Sequence, residues 1–148
     1  MEETVTILMV DDNEVDRMAV RRALEAAGVK MNWSESHDCA EAIALLQQQE
    51  FDCVFLDYPL TNGDSLSFIQ QTRGLGISTP IVVLTGQGDE QIAVQMMKAG
   101  ACDYLSKEKI SPLALYPILK QTIRVHRAEM SAATANQKLI ESRSEEHT

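Results

Sequence analysis

Five side chains that could make a reaction centre each stand at the carboxyl end of a short apolar run. Asp11 and Asp12 follow residues 6–10, Asp57 follows 51–56, Thr85 follows 81–84, and Lys107 comes just after 103–105. Brought to one place, three carboxylates raise one another's pKa and destabilise the chain unless a cation compensates, which a single lysine does only in part. Carboxylate and carbonyl oxygens are hard ligands suited to Mg2+, an ion that keeps several waters and commonly shares its shell with a phosphate. A metal, a lysine and a hydroxyl aimed at one carboxylate are the parts phosphoryl transfer requires. Asp57 would then be the nucleophile that becomes an acyl phosphate, with Lys107 and the Thr85 hydroxyl meeting charge on the transferred group. A carboxylate is already ionised at neutral pH, so no separate base is needed.

The elements that must position these residues alternate along the chain. Residues 6–10 read as a strand, and from Glu14 to Ala27 apolar residues recur at helical spacing until Gly28 stops the helix. A weaker strand over 29–34 precedes a helix capped by Asp38 and running through Ile43 and Leu46 to about Gln49. Residues 51–56 form a third strand, Gly63-Asp64 starts a third helix ending near Gly74, and 81–84 form a fourth strand. Asp89 caps a fourth helix closed by Gly100, 103–105 form a short fifth strand, and Ser111-Pro112 opens a fifth helix. Apolar strands separated by helices predict an α/β domain with a parallel sheet covered on both faces. The flavodoxin-like, doubly wound order 2-1-3-4-5 fits five such units, with its binding crevice at the carboxyl ends of the strands.

Composition bounds the function. With 148 residues, 45% hydrophobic and 24% charged, the chain is one ordinary globular domain with a real core. Its formal charge of -9 repels phosphate backbones, so no direct nucleic-acid binding is expected. Cys39, Cys53 and Cys102 lack CxxC spacing and read as small buried apolar residues of a reducing compartment. An acidic start and no apolar run near the roughly 18 residues of a membrane span point to a cytoplasmic protein without a membrane partner. His37, His126 and His147 show no metal-ligand spacing.

The segments ILMVDDN at 7–13, VFLD at 54–57, IVVLTG at 81–86 and KAGACDYLSK at 98–107 together resemble the response-regulator receiver domains of bacterial two-component signalling, over about residues 4–127. The single-domain chemotaxis regulator is the best-known type, and it has the 2-1-3-4-5 order, so that order is not independent of the resemblance. The resemblance implies that Asp11, Asp12, Asp57 and the backbone carbonyl of Pro59 hold Mg2+, and that Asp57 accepts a phosphoryl group from a sensor histidine kinase or phosphotransfer protein. It further implies that Lys107 pairs with the phosphate, and that Thr85 moves to bond it and draws Tyr104 inward, switching a surface for a downstream partner. Such a domain is a signalling switch, not a metabolic enzyme. The chain departs from the family where Thr61 and Glu108 replace two usual prolines, the second of which typically follows a cis bond. Gln87 sits where the family tunes phosphate lifetime, and Ile92, Met96 and Tyr104 fall where many receivers carry an output face.

Singly, each site residue has a plainer reading. Asp11-Asp12-Asn13 could cap the first helix, Asp57 could be a turn residue, Thr85-Gly86-Gln87-Gly88 a turn or a phosphate loop, Lys107 a solvated loop lysine, and Tyr104 packing. Their joint occurrence at four strand ends favours the site, because a purely structural account must explain each one separately. A haloacid-dehalogenase-like phosphatase would need a second Asp two residues past Asp57, where Pro59 stands. A flavodoxin-like mononucleotide module would want a phosphate loop after the first strand instead of carboxylates, and an unphosphorylated receiver-like domain would not need the complete acidic set.

The last helix runs on through Ala128 toward Glu141, with Pro117 inside its first turns. Residues 120–148 hold five cations and four carboxylates, a balance of +1, which leaves -10 for the rest. Residues 128–148 are read as a helical extension or linker. It is either a surface helix or a stalk through which a homodimer could form, its apolar positions being too sparse to define a coiled coil.

Overall fold

The computed structural model describes residues 3–60, 63–86 and 90–146, the last nine as helix backbone only. Thr61, Gln87, Gly88, the expected cap Asp89 and His147 lie outside the described residues. The strands β1 (Val5–Val10), β2 (Met31–Ser36), β3 (Cys53–Tyr58), β4 (Ile81–Thr85) and β5 (Asp103–Ser106) form one parallel sheet in the order β2-β1-β3-β4-β5. Between and after them lie α1 (Glu14–Ala26), α2 (Cys39–Gln48), α3 (Ser65–Gly74), α4 (Glu90–Ala99) and α5 (Pro112–Glu146).

Strand alternation decides what faces what. Leu8, Val10, Val54, Leu56, Ile81 and Val83 pack on one face with Ala42, Phe68, Ile69 and Met96 of α2, α3 and α4. Ile7, Met9, Cys53, Phe55, Val82 and Leu84 pack on the other with Val20 and Leu24 of α1 and Leu115, Leu119 and Ile123 of α5. Two buried faces explain why β1, β3 and β4 read as unbroken apolar runs, whereas the edge strand β2 carries polar residues.

The helix starts are set by side-chain caps. Asn13 Oδ1 accepts from the Asp16 amide at 3.1 Å, Asp38 Oδ1 from Glu41 at 2.7 Å, and Asp64 Oδ1 from Leu66 at 3.0 Å. Asp64 is thus the cap of α3 and not its first residue. At the start of α5 the Ser111 hydroxyl accepts from the Ala114 amide at 3.2 Å, with Pro112 in the first helical position. That helix extends to Glu146, and Pro117 lies inside it.

β2 and β3 begin and end two residues later than the pattern predicts. Phe51 is buried but stands before the ladder, which opens with Ile7 opposite Cys53 and closes with Asp57 and Tyr58 opposite Leu84 and Thr85. An apolar side chain in the core does not by itself extend a strand. Three further expectations need correcting. Met96 is a core residue and cannot belong to an exposed output face; the exposed apolar residues of α4 are Val94 and Met97. Of the cysteines only Cys53 is buried, Cys39 being half-buried and Cys102 exposed. His37 does fall beside Asp38 and Glu41 at the start of α2, although all three are at or near the surface and Asp38 is engaged in capping.

Candidate functional site

Parity carries three of the predicted residues to one place. Asp11 continues the Ile7–Met9 row, Asp57 the Cys53–Phe55 row, and Lys107 lies two residues past Leu105, so all three project on the α1 and α5 side at the carboxyl edge of the sheet. The carboxylates of Asp11, Asp12 and Asp57 each offer an oxygen within 4.8 Å of the others. Lys107 Nζ forms an ion pair with Asp57 Oδ1.

The capping alternative for the acidic pair does not hold, because Asn13 caps α1. Asp11 is fully buried; its Oδ1 accepts from the Asn13 amide at 2.8 Å, and its Oδ2 has no hydrogen-bond partner. A buried carboxylate oxygen with nothing to bond, beside two further carboxylates, is the donor set a hard divalent cation fits. The turn alternative for Asp57 also fails, since Asp57 lies inside β3, is buried, and pairs in register with Leu84. Ser65 donates its hydroxyl to the Asp57 carbonyl oxygen at 2.6 Å, tying the start of α3 to the strand.

Electrostatics follow from this crowding. Burial pushes the Asp11 carboxyl up to about 7; the Asn13 amide opposes the rise, and Asp57 and Asp16 add to it. Burial also raises Asp57, against the opposing pull of Lys107. For Lys107 burial acts to lower the pKa, but Asp57, Asp16 and Asp11 outweigh it and hold the ammonium above its ordinary value.

The remaining predicted residues lie on or just after β3, β4 and β5. Thr85 closes β4 and is buried, while Tyr104 on β5 is 38% exposed. Thr85 continues the Ile81–Val83 row and Tyr104 is opposite Val83, so both fall on the α4 side, the face opposite the carboxylates. Pro59, two residues past Asp57, is exposed and follows a cis Tyr58–Pro59 peptide. The Lys107–Glu108 peptide is trans and opens a single turn of 3-10 helix over Lys107–Lys109.

Two site residues escaped the sequence reading. Asp16, in the first turn of α1, places Oδ2 at 3.6 Å from Lys107 Nζ, so a fourth carboxylate reaches the site. Arg17 donates from Nη1 to the Asp11 carbonyl oxygen at 2.6 Å and lies 3.5 Å from Glu35, holding the acidic turn against β2. The sequence carries no signal that singles out Asp16, an acidic residue in the first turn of a helix being common. A cavity of about 680 Å3 between the loop after α1 and the face of α5 is remote from this chemistry, being lined by Val5, Val29 and Lys30 at the amino ends of the strands.

The chain was compared with known proteins. The model of the response regulator receiver domain family matches residues 7–139. Response regulator MprA of Mycobacterium tuberculosis is 35% identical over 116 residues, covering 78% of this chain and 48% of that protein. The phosphate regulon transcriptional regulatory protein PhoB of Pseudomonas aeruginosa is 34% identical over 121 residues, covering 80% and 52%. The chain therefore spans about half the length of the curated relatives it matches. A CheY-like receiver domain protein from Methanospirillum hungatei superposes with a TM-score of 0.72 at 20% identity, covering 86% of this chain and 99% of that one, a likeness of fold. Among the described residues no helix is long and apolar enough to cross a membrane. Fold, acidic edge and family match agree: the chain belongs to the response regulator receiver domains of two-component systems.

Proposed function

We propose that Asp57 accepts a phosphoryl group from a phosphohistidine of a sensor kinase or phosphotransfer protein, in a Mg2+-dependent reaction that switches a partner-binding surface. The observation that carries this reading is the buried Asp57 carboxylate paired with Lys107, with Asp11 and Asp12 beside it. Asp11, Asp12, Asp57 and the Pro59 carbonyl would hold the ion, which supplies positive charge for the phosphoryl oxygens. In the transfer an Asp57 oxygen bonds phosphorus as the phosphorus–nitrogen bond to imidazole breaks, and the leaving nitrogen keeps the electron pair. Lys107 meets the charge carried in by the group and neutralises Asp57 when the group is gone.

Thr85 and Tyr104 are the switch in this reading. They share the α4 side of the sheet, and the partly exposed Tyr104 ring is to move inward when the Thr85 hydroxyl turns to the phosphoryl group. The receiver unit is 4–127. The extension 128–148 links it onward or pairs with a second copy, and within it Met130 offers an exposed apolar side chain. The protein acts as a cytoplasmic signalling switch whose only reaction is on its own Asp57.

Incubation with acetyl phosphate and Mg2+, followed by intact mass measurement, tests the assignment. Wild type is expected to gain one phosphoryl group and Asp57→Asn none. The same gain in both proteins would remove Asp57 as the acceptor. Sedimentation of a strict monomer with and without acetyl phosphate would remove the homodimer.

A further inference from the structure

Resting on Asp57 as the phosphoacceptor, we infer that Asp16 is a positioning residue for the transfer: by sharing Lys107 with Asp57, its carboxylate holds back phosphorylation by doubly charged donors. The lysine stands between two carboxylates, in contact with Asp57 Oδ1 and 3.6 Å from Asp16 Oδ2. Asp16 is held there by the helix start itself, because its amide donates to the capping Asn13 side chain at 3.1 Å. One ammonium therefore answers two anions before any phosphoryl group arrives.

An incoming donor adds negative charge on the equatorial oxygens of the group in flight, and Lys107 is the protein cation at hand to meet it. Asp16 works against that in two ways of the same sign. It draws the ammonium toward itself, and it adds a like charge beside the reacting centre. Lys107 keeps 25% and Asp16 37% of its side-chain surface exposed, so solvent screens the effect without abolishing it. Removing the charge is expected to speed transfer from a dianionic donor about three- to tenfold.

The test uses the full chain as wild type, Asp16→Asn and Glu14→Gln. Glu14 is exposed in the same turn and carries the same charge change without a contact to Lys107. Phosphorylation rates are followed by intact mass with Mg2+ and either acetyl phosphate, a dianion at neutral pH, or phosphoramidate, which carries a single net negative charge. With acetyl phosphate, an Asp57 oxygen bonds phosphorus and acetate leaves with the bonding pair. Asp16→Asn is expected to accelerate the acetyl phosphate reaction more than the phosphoramidate reaction, with Glu14→Gln within about twofold of wild type. An unchanged or slower rate in Asp16→Asn, an equal gain with both donors, or the same gain in Glu14→Gln would overturn the inference while leaving Asp57 as acceptor intact. A wild type that gains no phosphoryl group would overturn both.

Discussion

Replacing Asp11 with Asn is expected to make the metal-free protein more stable at pH 7.5, and adding Mg2+ is expected to narrow the difference. Asp11 is fully buried, has one oxygen without a hydrogen-bond partner, and shares its surroundings with Asp57 and Asp16. Burial first, and then those neighbours, lift its carboxyl from 3.8 to about 7. Between these values the folded chain holds the proton and the unfolded chain has lost it. The metal-free protein therefore loses stability as pH rises from about 4 to about 7, the reverse of an acid paired with a cation. At about 1.36 kcal/mol per pH unit the ceiling is about 4 kcal/mol. Asn keeps the acceptor for the Asn13 amide but leaves a buried amide group in place of the carboxylate, so about 1–3 kcal/mol of stabilisation is expected. A ligand confined to the folded state adds about 1.4 kcal/mol at ten times its Kd, and the wild type gains more of this because it keeps all three carboxylates. Urea midpoints in EDTA and in Mg2+, measured at pH 4.5 and pH 7.5, decide the matter. An Asp11→Asn protein no more stable than wild type in EDTA at pH 7.5 would refute the reasoning.

The other predictions concern parts around the site. Lys107→Met is expected to act in the opposite direction, costing about 1–3 kcal/mol in EDTA because buried Asp57 loses its counter-ion; a urea midpoint at or above wild type would contradict this. Arg73 donates to the Gly100 carbonyl from Nε and Nη2 at 3.1 and 2.8 Å, and from Nη1 to Ile77 and Thr79 at 2.8 and 2.9 Å, so Arg73→Met is expected to cost about 2–4 kcal/mol by urea denaturation. Gly100→Ala strains the same junction, since φ there is +128° and an added Cβ would lie 2.8 Å from Arg73 Cγ; a loss of about 1–3 kcal/mol is expected, and a neutral result would show that Arg73 moves aside freely. Truncation after Met130 is expected to keep the unfolding midpoint within about 0.5 kcal/mol, because residues 131–137 are exposed.

The chemistry was legible in the sequence wherever it depended on the sheet, and for a definite reason. A strand has a period of two, so residue number alone tells which side chains share a face, and the apolar runs mark roughly where each strand lies. That is enough to bring Asp11 and Asp57 to one edge, whereas the placement of Thr85 and Tyr104 on the other face emerges only from the register of β4 and β5. The ends of the strands themselves were less legible, because Phe51 is buried without being paired.

What depended on a helix was not legible, because the phase of a helix about its axis is set by packing. Asp16 reads as an ordinary first-turn acid that favours the positive end of α1. Only the seating of Val20 and Leu24 against Ile7, Met9 and Phe55 turns its carboxylate toward Lys107. Arg17 likewise reads as a surface cation, yet the same seating sends its guanidinium under the acidic turn to the Asp11 carbonyl. Asn13 settles both at once. As the actual cap it relieves Asp11 and Asp12 of that duty and fixes the first turn of α1 over the strand edge. One side chain thus separates the residue that starts the helix from those that do the chemistry, and leaves the Asp11 side chain free to take the Asn13 amide at the strand edge.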